Sequence, residues 1–229
     1  MIILEERLTQ LALMVDKDAR VADIGTDHAY LPIELVNTGK INFAIASDVA
    51  KGPLQNAKKD IEQAGLQDKI SARLGSGLVT IKTEDKIDTV VIAGMGGKLM
   101  VDLLQEAKQR GNLYPTLILE PNIGEPNVRK WLEENNYQIV QEKIIEVAGH
   151  IYELIKATHG NKKYKLTLKE INFGPLLLQE KSRVFCKKWH NQLSYQTNLI
   201  DNLNRAKNKD ISKIKQTENL IEMIKEVLA

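Results

Sequence analysis

Five short apolar runs alternate with helix-like patterns through the first half of the chain, and this alternation constrains the fold most. The runs are Arg20–Ile24, Phe43–Asp48, Ile70–Leu74, Thr89–Gly94 and Thr116–Glu120. Helical patterns lie between or after them at Tyr30–Thr38, Pro53–Ala64, Lys98–Gln109 and Asn127–Asn135. Strands that alternate with helices predict a parallel sheet covered on both faces, and such strands are apolar along their whole length. Tyr137–Val147 and His150–Thr158 then read as two strands joined through Ala148-Gly149, a hairpin that would add antiparallel pairing at one edge. The expected fold is therefore α/β, a Rossmann-like, mostly parallel sheet of seven strands.

The character changes after Gly160. Pro175 can occupy the first turn of a helix that nothing interrupts as far as Arg205. Lys207–Asp210 reads as a turn, with Asp210 capping a second helix, Ile211–Leu228. A seven-residue ladder runs through Leu193, Ile200, Lys207, Ile214, Ile221 and Leu228, but its companion positions include Gln196, Asp210 and Thr217. A long coiled coil needs two apolar seams. The pattern favours a helical hairpin, coiled-coil-like in character. The reading is thus a catalytic domain over residues 1–160 and a helical extension over 161–229, with Met1–Leu13 as an amphipathic helix at the start.

Charge separates the two parts. Residues 161–229 carry 14 Lys and Arg against 7 Asp and Glu, and residues 1–160 carry 18 against 23. The surplus of +7 suits a polyanion, and equally a solvated lysine-rich surface. Candidate RNA contacts are Lys162, Lys163, Lys165, Lys187, Lys188, Arg205, Lys207 and Lys209. Hydrophobic residues make up 43% of the chain, enough for a core, yet no apolar run reaches the ~18 residues that would suggest a membrane span. Cys186 is the only cysteine, which rules out an internal disulfide and a multi-thiolate metal site. We expect a cytoplasmic protein without a metal, a monomer rather than an obligate oligomer.

The chemistry-bearing segments fall at strand ends. Asp23-Ile-Gly25-Thr26-Asp27-His28-Ala-Tyr30 follows the first strand. A glycine there lets the backbone approach a nucleotide closely. The full G-x-G-x-x-G is absent, and Asp23 and Asp27 would repel a dinucleotide pyrophosphate while attracting a sulfonium and an α-amino group. S-adenosylmethionine therefore fits better than a nicotinamide dinucleotide. Asp48, 25 residues after Asp23, is placed to accept from ribose hydroxyls. Gly75-Ser76-Gly77 could flank an adenine ring, and Ala93-Gly94 ends the fourth run. The cofactor set is Asp23, Gly25, Thr26, Asp48, Gly75, Ser76, Gly77, Ala93 and Gly94. Asp27, His28, Tyr30 and Asn122 are the candidates for holding a substrate base. His28 could equally start the helix, and Tyr30 could equally pack in the core. The Asn-Pro-Pro-Tyr signature of exocyclic-amine methyltransferases is missing.

Three segments, Asp23–Pro32, Ile92–Gly97 and Leu119–Asn122, resemble the bacterial TrmK family of tRNA adenine-N1 methyltransferases. The resemblance extends over the whole chain. It implies methylation of the adenine at position twenty-two in the tRNA D-arm, with a coiled-coil-like C-terminal part. Glu120 departs from the family, where glutamine is usual, and adds a carboxylate near the pocket. The alternatives are a methyltransferase for another RNA, a small molecule or a protein, and a non-catalytic RNA-binding module.

Overall fold

The computed structural model describes residues 4–160 and 165–229, and these form nine α-helices and seven strands. Helix α1, Glu6–Met14, opens the chain. Strands β1 (Arg20–Ile24), β2 (Phe43–Asp48), β3 (Ile70–Leu74), β4 (Thr89–Gly96) and β5 (Thr116–Ile123) alternate with helices α2 (Tyr30–Asn37), α3 (Lys51–Gln63), α4 (Gly97–Gln109) and α5 (Glu125–Glu134). Strands β6 (Tyr137–Val147) and β7 (His150–His159) form the expected hairpin. The order across the sheet is β3-β2-β1-β4-β5-β7-β6, parallel except for β7, which runs antiparallel to both neighbours.

Two apolar layers cover the sheet. Ile24, Ile92, Leu119, Met100, Leu104 and Trp131 belong to one, and Leu11, Met14, Val21, Ile33, Ala46 and Ile61 to the other. Because adjacent strand residues point to opposite faces, each strand must be apolar throughout, which is why the runs show no alternation. The strand order reverses between β1 and β4, and a crevice forms outside the carboxyl ends there.

The strands β4 and β5 extend two to three residues further than their apolar runs suggest. The register shift at Ala93/Met95 leaves Gly94 of β4 unpaired, pairing resumes at Met95–Pro121, and a second shift before Gly96–Ile123 leaves Asn122 of β5 unpaired. The two shifts carry polar and glycine residues into the strand ends without breaking the ladder.

The C-terminal segment starts with α6 (Leu168–Phe173), closed at its start by a reciprocal pair between Thr167 and Glu170. The uninterrupted helix expected from Pro175 to Arg205 is in fact two helices, α7 (Pro175–Glu180) and α8 (Arg183–Arg205). Lys181 adopts a left-handed backbone, and the Ser182 side chain caps α8 by accepting from Phe185 N. Helix α9, Ile211–Leu228, is capped by Asp210 as expected and packs on α8. Ile144 of β6 joins Phe173, Leu177, Phe185, Trp189, Ile224 and Val227 in a third apolar cluster, so the first half of α8 is seated on the sheet edge. The rest of α8 runs outward, and a 23-residue helix is about 35 Å long.

Candidate active site

Local backbone chemistry builds the crevice. The amides of Gly25 and Thr26 both donate to Ser47 O, at 2.8 and 2.9 Å, tying the end of β1 to β2. Gly25 has φ +82°, a conformation that strains any other residue, and a Cβ there would also have to displace the tip of Met95. Gly75 N donates to Asp48 O at 3.0 Å and closes the next strand end.

Two cavities meet at Gly25. The larger, about 360 Å³, is lined by Asp23, Thr26, Asp27, His28, Tyr30, Ala93 and Gly94, with Glu5, Arg7 and Leu8 of the N-terminal segment across from them. The smaller, about 120 Å³, is lined by Ser47, Asp48, Gly75, Ser76 and Gly77, with Val49, Met95, Leu99 and Leu103 supplying apolar walls. Every residue assigned to the cofactor from sequence thus borders one of the two. Ser47 Oγ is a buried hydroxyl with no hydrogen-bond partner among the described residues, and the buried Thr26 hydroxyl faces the Asp23 carboxyl. Unsatisfied buried polar atoms beside a cavity suit a polar ligand. An acid at one end, apolar walls at the other and buried hydroxyls between them fit S-adenosylmethionine.

Asp23 is 8% exposed, and burial pushes its carboxyl up to about 6, with the Thr26 hydroxyl and Arg7 opposing the rise and Asp48 adding to it. Arg7 donates from Nη1 to Glu120 Oε2 at 2.6 Å and lies over the Tyr152 ring at 5.5 Å. Burial also pushes Glu120 up, against the pull of Arg7. The Glu120 carboxylate is thus fully buried and paired through Oε2, beside the cavity rather than open in it.

His28 and Ala29 have successive φ values of 59° and 52°, and this turn starts α2. His28 Nδ1 lies 2.6 Å from Asp60 Oδ2, and Nε2 lies 3.7 Å from Asp27 Oδ1. The ring stacks on Tyr30 with centroids 5.0 Å apart. Donation from Nδ1 to Asp60 leaves Nε2 toward Asp27. Asn122 sits apart from this group: its Nδ2 donates to Gly94 O at 2.7 Å, and its side chain is exposed. It does not line this cavity itself and reaches it only through Gly94, and no described residue donates to its Oδ1.

The basic candidates divide. Lys165, Arg205, Lys207 and Lys209 are exposed, and Lys187 is exposed but paired with Glu146 at 2.6 Å. Lys162 and Lys163 lie outside the described residues. Lys188 requires correction. It is only 16% exposed and is held by Glu125 at 2.5 Å and Glu153 at 2.7 Å, so it serves an internal ion network rather than a phosphate. In the same network Arg129 bridges Glu142 and Glu153, all three fully buried, and Glu142 also accepts from Leu176 N.

Sequence reasoning missed Arg7, Asp60, Leu99 and Leu103. Arg7 reaches Glu120 across 113 positions, and Asp60 reaches His28 across 32. Leu99 and Leu103 share one helix face next to the glycine-rich end of β4, a spacing that could have marked them.

Comparison with known proteins gives a consistent result. A family model described as tRNA (adenine(22)-N(1))-methyltransferase, TrmK, matches residues 21–226. The tRNA (adenine(22)-N(1))-methyltransferase of Bacillus subtilis (strain 168) is 35% identical over 231 residues, covering 98% of this chain and 97% of that protein. The Streptococcus pneumoniae protein Sp1610, solved in complex with S-adenosyl-L-methionine, superimposes with a TM-score of 0.89 at 37% identity, covering 99% of this chain and 100% of that one. TrmK of M. capricolum, solved with S-adenosyl-homocysteine, gives 0.87 at 32% identity, covering 99% and 98%. The chain belongs to the tRNA (adenine(22)-N(1))-methyltransferase family.

Proposed function

We propose that this chain transfers a methyl group from S-adenosylmethionine to N1 of the adenine at position 22 in the tRNA D-arm. The observation that carries the reading is the pair of cavities meeting at Gly25, outside the strand ends where the sheet order reverses. Asp23 faces the cofactor's α-amino group and Arg7 its carboxylate. Asp48 takes the ribose, and Gly75–Gly77 with Leu99 and Leu103 enclose the adenine ring.

Bound S-adenosylmethionine supplies an electrophilic methyl group on a sulfonium. Adenine N1 already carries an in-plane lone pair, so no side chain must first remove a proton. The residues align and desolvate the base, an effect worth effective molarities of up to ~10⁵ M or more. Asp27 accepts from the N6 amine and stabilises the positive charge that grows on the ring. The stacked His28–Tyr30 pair forms a wall for the base, with Asp60 fixing the imidazole. Asn122 presents its Oδ1 at the rim.

Residues 1–160 form the catalytic part and 161–229 the RNA-binding part, whose outer half presents Arg205, Lys207 and Lys209. No described helix is long and apolar enough to cross a membrane. The enzyme works as a monomer in the cytoplasm, where its tRNA is.

The test is incubation of an unmodified tRNA transcript with methyl-labelled cofactor, followed by nuclease digestion and mass mapping. Label on N1 of the D-arm adenine is expected. Label elsewhere, or none, would overturn the reading. Asp27→Ala should lower transfer by about 10²-fold with cofactor affinity kept. A loss no greater than the loss of cofactor occupancy would make Asp27 a binding or structural residue.

A further inference from the structure

A third cavity, about 470 Å³, lies between the β6–β7 turn, the start of α5 and the helices α6, α8 and α9. This falls within the range of roughly 300–1,000 Å³ typical of ligand clefts. We infer that this cleft receives a second nucleobase of the tRNA, one flanking the target adenine; the inference rests on the tRNA reading above.

The chemistry of the walls selects a base. Asn122, Asn172, Asn191 and Gln192 bring four carboxamides to the cleft, together with His150 and Trp189. A carboxamide carries no charge and offers both a donor pair and an acceptor, the pattern of a base edge. Among the described residues, no side-chain hydrogen bond engages Asn191 or Gln192, and Asn172 spends only its Nδ2, on Leu168 O. Trp189 is fixed from behind by Phe173 and Phe185, and its Nε1 has no partner among the described residues.

Charge argues against a phosphate. The one lysine lining the cleft, Lys188, is neutralised by Glu125 and Glu153, and the network it completes holds two cations, Arg129 and Lys188, against three carboxylates. A phosphate would meet a net negative wall, whereas a neutral base would not. Position supplies the rest. Asn122 lines this cleft, yet its amide is bonded to Gly94 O, and Gly94 lines the target cavity. One side chain separates the two. Extruding an adenine from a stem strips its neighbour of a stacking partner, at roughly a few kcal/mol. A cleft that holds the neighbour recovers part of that loss.

The test uses the full chain with Asn191→Ala and Gln192→Ala combined, both lining the cleft and neither placed in the methyl-transfer machinery. Cofactor affinity and melting temperature should stay at their original values. The kcat/KM for a tRNA transcript should fall about ten-fold, the size of one lost base contact. The dependence of tRNA affinity on salt should keep its slope, because no phosphate contact is lost. Transcripts abasic on one or the other side of the target adenine form the second arm. One of them should cost the unaltered enzyme a similar factor and cost the double variant nothing further. Unchanged kcat/KM, a flattened salt slope, or equal abasic losses in both enzymes would overturn the cleft assignment alone. Absence of methylation by the unaltered chain would instead bring down the functional reading and the cleft with it.

Discussion

Asp23 is a carboxyl group whose burial makes it ionise less readily than in water. Its folded value of about 6 stands against 3.8 in the unfolded chain. Between those values the folded protein binds a proton that the unfolded chain has released. Stability from this group is therefore full below pH 3.8 and lost as pH rises through about 6, by about 3 kcal/mol at most. A cofactor ammonium beside Asp23 favours the ionised form, so binding near pH 6 should release a proton and affinity should fall as pH drops below 6. Titration calorimetry at pH 6 in two buffers of different ionisation heat checks this, since identical heats would place the amino group elsewhere. Asp48 is tested separately. Its Oδ1 already accepts from Ala50 N at 2.6 Å, leaving Oδ2 for a ribose. Asp48→Ala should weaken cofactor binding by about 1.5–3 kcal/mol in a folded protein, and unchanged affinity would remove it from the site.

Among the elements, the strands with their crossover helices were legible and the C-terminal helices only partly so. A strand buried on both faces must be apolar throughout, so β1, β2, β4 and β5 announce themselves in a single sequence. The break between α7 and α8 is harder to see, because Lys181 carries a left-handed backbone that its residue type does not suggest. The signal available was Ser182 three residues before Phe185, an N-cap followed by an apolar face. The apolar part of the attachment of α8, through Leu177 and Phe185, could be anticipated from sequence, but the ion pairs of Lys188 with carboxylates from α5 and β7 could not. Lys188→Met should destabilise the protein by about 3 kcal/mol, because the removed ammonium leaves Glu125 and Glu153 in a poorly hydrated site. Urea unfolding measures it, and a variant as stable as the original would reduce the network to a surface ion pair. Gly174→Ala should act in the same direction, since its Cβ would fall 2.7 Å from Glu142 and 2.8 Å from Arg129 at a φ of +87°.

At the scale of the whole molecule, the lopsided charge seen in the sequence becomes a geometric statement. Arg205, Lys207 and Lys209 lie at the far end of the α8–α9 pair, away from the cluster that seats α8 on the sheet. Replacing all three by glutamine should flatten the salt dependence of tRNA binding by about two to three log units per log unit of salt, while leaving cofactor affinity alone. An unchanged slope in filter-binding titrations would move the RNA surface elsewhere. The segments proposed to hold the cofactor could be picked out in sequence because each is a local turn at a strand end, and the structure brings them to two adjoining cavities. The pairs Arg7–Glu120 and His28–Asp60 could not, because the sheet alone decides which distant residues come together.

The ion network also orders events in time. Once β7 has left the ribosome the chain holds every strand of its sheet, yet Glu142 and Glu153 then share Arg129 alone. Leu176 and Lys188 have still to emerge. Until they do, Ile144 and the carboxylates beside it form a raw edge that water must cover, on a nascent molecule open to wrong contacts. The helices that follow act as a built-in chaperone for the half made first, so a stop codon shortly after residue 160 would harm the chain even though every residue proposed for methyl transfer had been synthesised.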